Sequence, residues 1–136
     1  MRLCLAALAR AARGADADAR AERLVQRERR ITLELLKAYP GHETLWEHRR
    51  FVVATLVERT VVPGAAEASA RAVDAVVEED AELDANLRAE ASAIAEGALL
   101  PSERRALREQ RRHAASYALW RAALLRRTRA PSRRIE

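Results

Sequence analysis

Three breaks divide this chain and leave it little choice of architecture. Pro40-Gly41, Pro63-Gly64 and Gly97 with Pro101 interrupt segments in which apolar residues otherwise recur at helical spacing. A residue before proline is pushed out of the helical region, and proline has no amide hydrogen to donate, so each break ends a helix. Helices joined by so few residues must fold back antiparallel as hairpins. The 136 residues contain only four Gly, four Pro and five aromatics (Trp 2, Tyr 2, Phe 1), while alanine and arginine abound. Turn formers and bulky β-formers on that scale do not build a sandwich or a barrel.

The first helix is expected from caps at Asp16 and Asp18 to about Ala38, with Leu24, Ile31 and Leu35 recurring beside Val25 and Leu36. A second, from about Glu43 to the Pro63-Gly64 break, carries Leu45, Val52 and Leu56 on one stripe and Trp46, Val53 and Val57 next to it. Beyond Gly64 the chain is alanine-rich and acidic. Val73, Val76, Val77, Leu83, Leu87 and Ile94 fit one or two helices, with Glu78, Glu79 and Asp80 read as an interruption or a solvated acidic face. Ser102 is the expected N-cap of a last helix running to about Arg127, with Leu107, Ala114, Tyr117, Trp120 and Leu124 near one face. The expected fold is all-α: four to five helices in stacked antiparallel hairpins, a right-handed TPR-like solenoid.

Hydrophobic residues at 49% against 33% charged exclude a wholly disordered chain. The net charge of +5 is unevenly placed: 12 basic and 8 acidic side chains up to residue 64, 2 and 9 from 65 to 100, and 11 and 3 from 101 onward. Because nearly all the cations are arginine, with Lys37 the only lysine, the excess matches compositional bias as well as a binding surface, and no nucleic-acid partner is expected. The division of the chain is read as an N-terminal helix remnant or flexible segment over 1–14, helical repeats over 15–127 and a basic disordered tail over 128–136. Leu3 to Ala9 is an apolar run of seven residues between Arg2 and Arg10, far short of the roughly 20 that cross a bilayer, and no membrane span is expected. A single cysteine, Cys4, excludes an internal disulfide, so a cytoplasmic location is the expectation.

Constellations that carry chemistry are sparse. His42, His48 and His113 are the only histidines, and the six-residue step between the first two puts them on different faces of a helix. Cys4 has no histidine beside it, no glycine-rich phosphate loop occurs, and the adjacent Glu78, Glu79 and Asp80 do not form an acid-base pair. No catalytic, cofactor-binding or metal-binding residue is expected in this chain. Trp46 and Arg49, three residues apart, do share a helix face with Val53, which points an arginine into an apolar seam. A buried guanidinium is costly unless its five donors are used, and carbonyls at the ends of neighbouring helices are the expected acceptors.

Internal repetition is the remaining signal. Trp46 and Trp120 lie 74 residues apart, two periods of 37, each near the start of an apolar run. The stretch Tyr39-Pro40-Gly41-His42-Glu43-Thr44-Leu45-Trp46 followed by His48-Arg49-Arg50 resembles the protein prenyltransferase alpha-subunit repeat, whose second helix opens with a Pro-x-Asn-Tyr-x-x-Trp-x-x-Arg pattern. Pro40, Trp46 and Arg49 match in position; His42 stands in place of Asn and Glu43 in place of Tyr, and the likeness is greatest to the divergent repeat-containing branch of the family. In the second segment Tyr117 and Trp120 match, while Ser116 replaces Asn and Ala123 replaces Arg.

The resemblance implies a crescent of helical hairpins wrapped around a separate beta subunit, which would hold the zinc and most of the isoprenoid and peptide sites. It implies a repeat-structural role for Pro40, His42, Trp46, Arg49, Tyr117 and Trp120, and no cofactor in this chain. Some family members place a lysine near the isoprenoid diphosphate where this sequence has Gly41 and Ala115, so the implied role is scaffold and not chemistry. The chain looks like the C-terminal part of a longer alpha subunit. The expected function is a non-catalytic alpha-type subunit, or fragment, of a protein farnesyl- or geranylgeranyltransferase. The alternative is a helical-repeat interaction scaffold unrelated to prenylation that binds an acidic partner.

Overall fold

The computed structural model describes residues 15–95, 97 and 99–129. These residues form four helices: α1 (Ala15–Ala38), α2 (Glu43–Arg59), α3 (Ala66–Ala95) and α4 (Pro101–Arg129). There is no strand among them. The fold is the expected all-α arrangement of hairpins. Cys4, Ile94's side chain and the arginines beyond Arg129 lie outside what is described.

The pairing of helices identifies a stack. α2 packs on α1, α3 and α4; α3 also packs on α1 and α4; α1 and α4 share no backbone packing among the described residues. A closed four-helix bundle would pack its first and last helices along their length, whereas here their backbones stay apart and the Gln110 side chain of α4 reaches across to the Leu36 carbonyl of α1. Contacts also give the directions. Glu22 of α1 meets Arg59 and Glu28 meets His48, so α1 and α2 are antiparallel. Gly41 meets Gln110 and Arg50 meets Ser116, so α2 and α4, the second helices of the two hairpins, run parallel.

Each joint has a local cause. Gly41 takes a φ of +88°, a region side chains disfavour, and a Cβ there would sit 3.0 Å from the carbonyl oxygen of Ala106. This turn can therefore press directly against α4. Gly64 and Gly97 take similar positive φ values in open space. His42 is the N-cap of α2 but makes no side-chain capping bond. At α4 the helix begins one residue before the expected cap: Ser102 is already helical, and Glu103 Oε2 instead accepts from the Leu100 amide at 2.8 Å. Helix α1 already runs at Ala15, so Asp18 lies within it and does not cap it. α4 extends through Thr128 and Arg129, past the expected start of the tail.

One apolar core joins both hairpins, from Val25 and Leu36 through Trp46, Val53 and Leu56 to Val76, Leu83, Leu107 and Tyr117. Trp120, Leu124 and Leu125 are half-buried against it. Ile31 and Val77, expected on the inner stripes, are instead 37% exposed, because Thr32 with Leu33 and Val76 hold the inward positions.

Candidate functional site

Polar residues interrupt the apolar stripes at regular places, and they converge. On α3 the buried series Val73, Val76, Asp80, Leu83, Leu87 advances by alternating steps of three and four, which keeps Asp80 on the inner face. On α2, Arg49 occupies the same kind of position between Trp46 and Val53, and is fully buried. The two meet between the hairpins: Arg49 Nη2 donates to Asp80 Oδ1 at 2.8 Å and to Glu79 Oε2 at 3.1 Å, while Nε donates to Asp80 Oδ1 at 3.2 Å. Nη1 donates to the carbonyl oxygen of Arg29 in α1 at 3.3 Å.

The acidic cluster is therefore neither an interruption nor a solvated face. α3 runs unbroken through it, Glu78 is exposed, Glu79 is half-buried and Asp80 is buried. The guanidinium expectation is corrected in kind as well: carboxylates of α3 accept three of its hydrogen bonds, and a helix carbonyl accepts a fourth. Asp80 has a second set of partners on Oδ2, where the Tyr117 hydroxyl donates at 2.7 Å and Arg121 Nη1 donates from α4. Arg29 adds a cation, with Nε 3.5 Å from Glu79 Oε1 and Nη1 donating to the Ala72 carbonyl at 3.3 Å. One buried carboxylate thus ties α2, α3 and α4 together, and Glu79 brings in α1.

Burial works against the charge of Arg49, but Asp80 and the electronegative groups around it outweigh that, and the guanidinium is held above its ordinary value. Burial and then the Asp80 charge push the Tyr117 hydroxyl well above the usual phenol range, so it remains a donor.

A second junction lies one turn away. Gln110 Oε1 accepts from Trp46 Nε1 at 2.9 Å and from the Gly41 amide at 2.8 Å, and Gln110 Nε2 donates to the Leu36 carbonyl at 3.0 Å. The indole of Trp46 packs on Tyr117 with ring centroids 5.3 Å apart, and Tyr117 on Trp120 at 5.9 Å. Trp46, Arg49, Tyr117 and Trp120 are thus assembled into one seam. Pro40 stands beside them at the joint and lines a hollow of about 330 Å³ with Leu36, Lys37 and Gln110. The exposed His42 ring meets Tyr39 edge to face at 6.3 Å, and its carbonyl accepts from the Leu45 amide at 3.1 Å.

The two tryptophans are not equivalent members of a repeat. Trp46 lies in the first turn of α2, whereas Trp120 lies far along α4, and the residue level with Trp46 on α4 is Gln110. Gln110, Arg121 and Arg29 were not singled out by sequence reasoning, and Asp80 was read only as part of an acidic, solvated cluster. Their signal was available in the stripe spacing, since a polar residue on an otherwise apolar stripe has to be buried with partners.

Toward solvent the seam opens into a cleft of about 180 Å³ between α3 and α4, walled by Trp46, Val77, Asp80, Tyr117, Ala118 and Arg121. Two carboxylates line it: Asp80 is already neutralised by Arg49 and Arg121 and is a structural clamp, while the more exposed Asp84 lies 3.9 Å from Arg88. No group of three or more His, Cys, Asp or Glu among the described residues could hold a metal ion. No helix among them is long and apolar enough to cross a membrane. No family model, curated protein or solved structure matches the chain.

Proposed function

We propose that this chain is a non-catalytic, alpha-type helical-repeat subunit whose task is to hold a catalytic beta subunit of a protein prenyltransferase. One observation carries the reading. The residues that bear the resemblance are those that lock hairpin to hairpin: Pro40 at the joint, Trp46 bonded to Gln110, and Arg49 bonded to Asp80. A stack built in this way keeps a fixed curvature and presents its helix faces to a partner, which is how open repeats function.

Gly41 also supports scaffold over chemistry. Its positive φ and close approach to Ala106 put strain on any side chain at the position where some family members carry a lysine. Zinc and the isoprenoid site belong, in this proposal, to the beta subunit. The cytoplasm is its proposed location.

The test has two readouts. Tagged chain is co-expressed with candidate beta subunits and captured, and transfer of labelled farnesyl or geranylgeranyl diphosphate to an acceptor with a C-terminal cysteine is measured with and without the partner. Capture of a beta subunit, with transfer only in the pair, is the expected outcome. Transfer by the purified chain alone would overturn the scaffold role. Capture of no beta subunit would leave a helical-repeat interaction scaffold outside prenylation.

A further inference from the structure

α4 carries a row of arginines, exposed apart from the half-buried Arg104, most of which the rest of the molecule leaves uncompensated. At 100° per residue, Arg104, Arg105, Arg108, Arg111 and Arg112 fall within an arc of about 120° along about 12 Å of helix. That arc faces away from the buried Leu107, Gln110 and Ala114. Arg112 is paired to Glu109 at 3.0 Å, whereas the other four have no described carboxylate partner. Where arginines hold the fold together the pattern is different: Arg49, Arg59 and Arg121 each meet a carboxylate.

Two forces oppose such a row. Arg104, Arg108 and Arg112 repeat every four residues and repel one another, and the first of them sits at the positive end of the α4 dipole. An anion would relieve both. Further along the same line come Ala115, Leu119, Ala122 and Arg126, and Leu119 is 74% exposed. Neither carboxylate of α4, Glu103 or Glu109, falls in this arc.

We infer that this face of α4 rests on an anionic phospholipid surface, with the arginines on the headgroups and Leu119 entering the interface. Shape decides for a membrane over an acidic peptide. From Arg104 to Arg126 the stripe is straight and convex over about 33 Å, which suits a plane. Arg111 borders a cleft of about 180 Å³ beside Asp84 and Arg88, whereas Arg104, Arg105, Arg108 and Arg112 line none of the described clefts, so most of the row lies outside any groove that could grip an extended chain. An anionic leaflet attracts a cluster of cations held near its surface, and the exposed leucine on the same line adds apolar area to bury there. The inference is independent of the proposed prenyltransferase role.

The test is co-sedimentation of the full chain with vesicles of phosphatidylcholine, with or without phosphatidylserine, across a salt series. Binding is expected only with phosphatidylserine and should weaken as salt rises. Combining Arg105→Glu, Arg108→Glu and Arg112→Glu should lower it roughly a hundredfold, at about fivefold for each arginine removed. A control with Arg23→Glu, Arg27→Glu and Arg71→Glu changes net charge equally on other exposed surfaces and should keep most of the binding, with both triples retaining wild-type circular dichroism. Leu119→Gln should lose the part that survives raised salt. Equal loss in the two triples, equal binding to both vesicle types, or competition by polyglutamate at matched charge would each overturn the inference.

Discussion

Arg49 is fully buried and yet charged, which only a dense set of acceptors allows. Removing it strands Asp80 and Glu79, so Arg49→Ala should cost about 3 to 5 kcal/mol. Arg49→Leu should cost less, because its side chain still fills the volume of the arginine stem. Trp46→Ala should cost about 3 to 5 kcal/mol, since the ring is 3% exposed and its loss also leaves Gln110 one donor short. Urea titration checks all three. Wild-type midpoints for both alanine variants would remove the clamp from the account.

Tyr117 makes the same seam sensitive to alkali. Its hydroxyl is raised above the ordinary 10.0, so the folded state holds that proton more tightly than the unfolded chain does. The contribution is complete below pH 10.0 and is lost as pH rises from there through the folded-state value. Urea midpoints should fall above that pH in the wild type and fall less steeply in Tyr117→Phe. Parallel curves would place the alkaline loss in other groups.

At the scale of elements, the joints differ although each contains a glycine with positive φ. Gly41→Ala meets both an unfavourable backbone and the Ala106 carbonyl, whereas Gly64→Ala meets the backbone term alone. The second should cost about 1 to 2 kcal/mol and the first more. Thermal melts of the two variants decide this, and equal shifts would mean that α4 gives way at Ala106. The helices themselves were legible in the sequence because their causes are local. Proline and glycine end them wherever they pack, and the three-four spacing of valine and leucine marks their inner faces. Legibility failed at Ser102, where Leu100 and Glu103 close the helix start, since competing caps one residue apart look alike in sequence.

At the scale of the whole molecule, the two hairpins should unfold as one. The apolar core is shared, and Asp80 and Gln110 both bond across the junction. Trp46 reports on the first hairpin and Trp120 on the second, so tryptophan fluorescence and circular dichroism should give coincident urea transitions. Separate midpoints would show the hairpins to be independent units.

By itself the sequence determined the helical class, the joints at Pro40-Gly41, Pro63-Gly64 and Gly97 to Pro101, and the buried place of Trp46 and Arg49, because periodicity and backbone restriction act within a few residues. Only the tertiary structure decided what Arg49 binds, that Asp80 is a shared partner and not a solvated charge, and that Gln110 stands opposite Trp46. Those depend on which helices lie across from one another and at what level, a matter of stacking that no local spacing encodes.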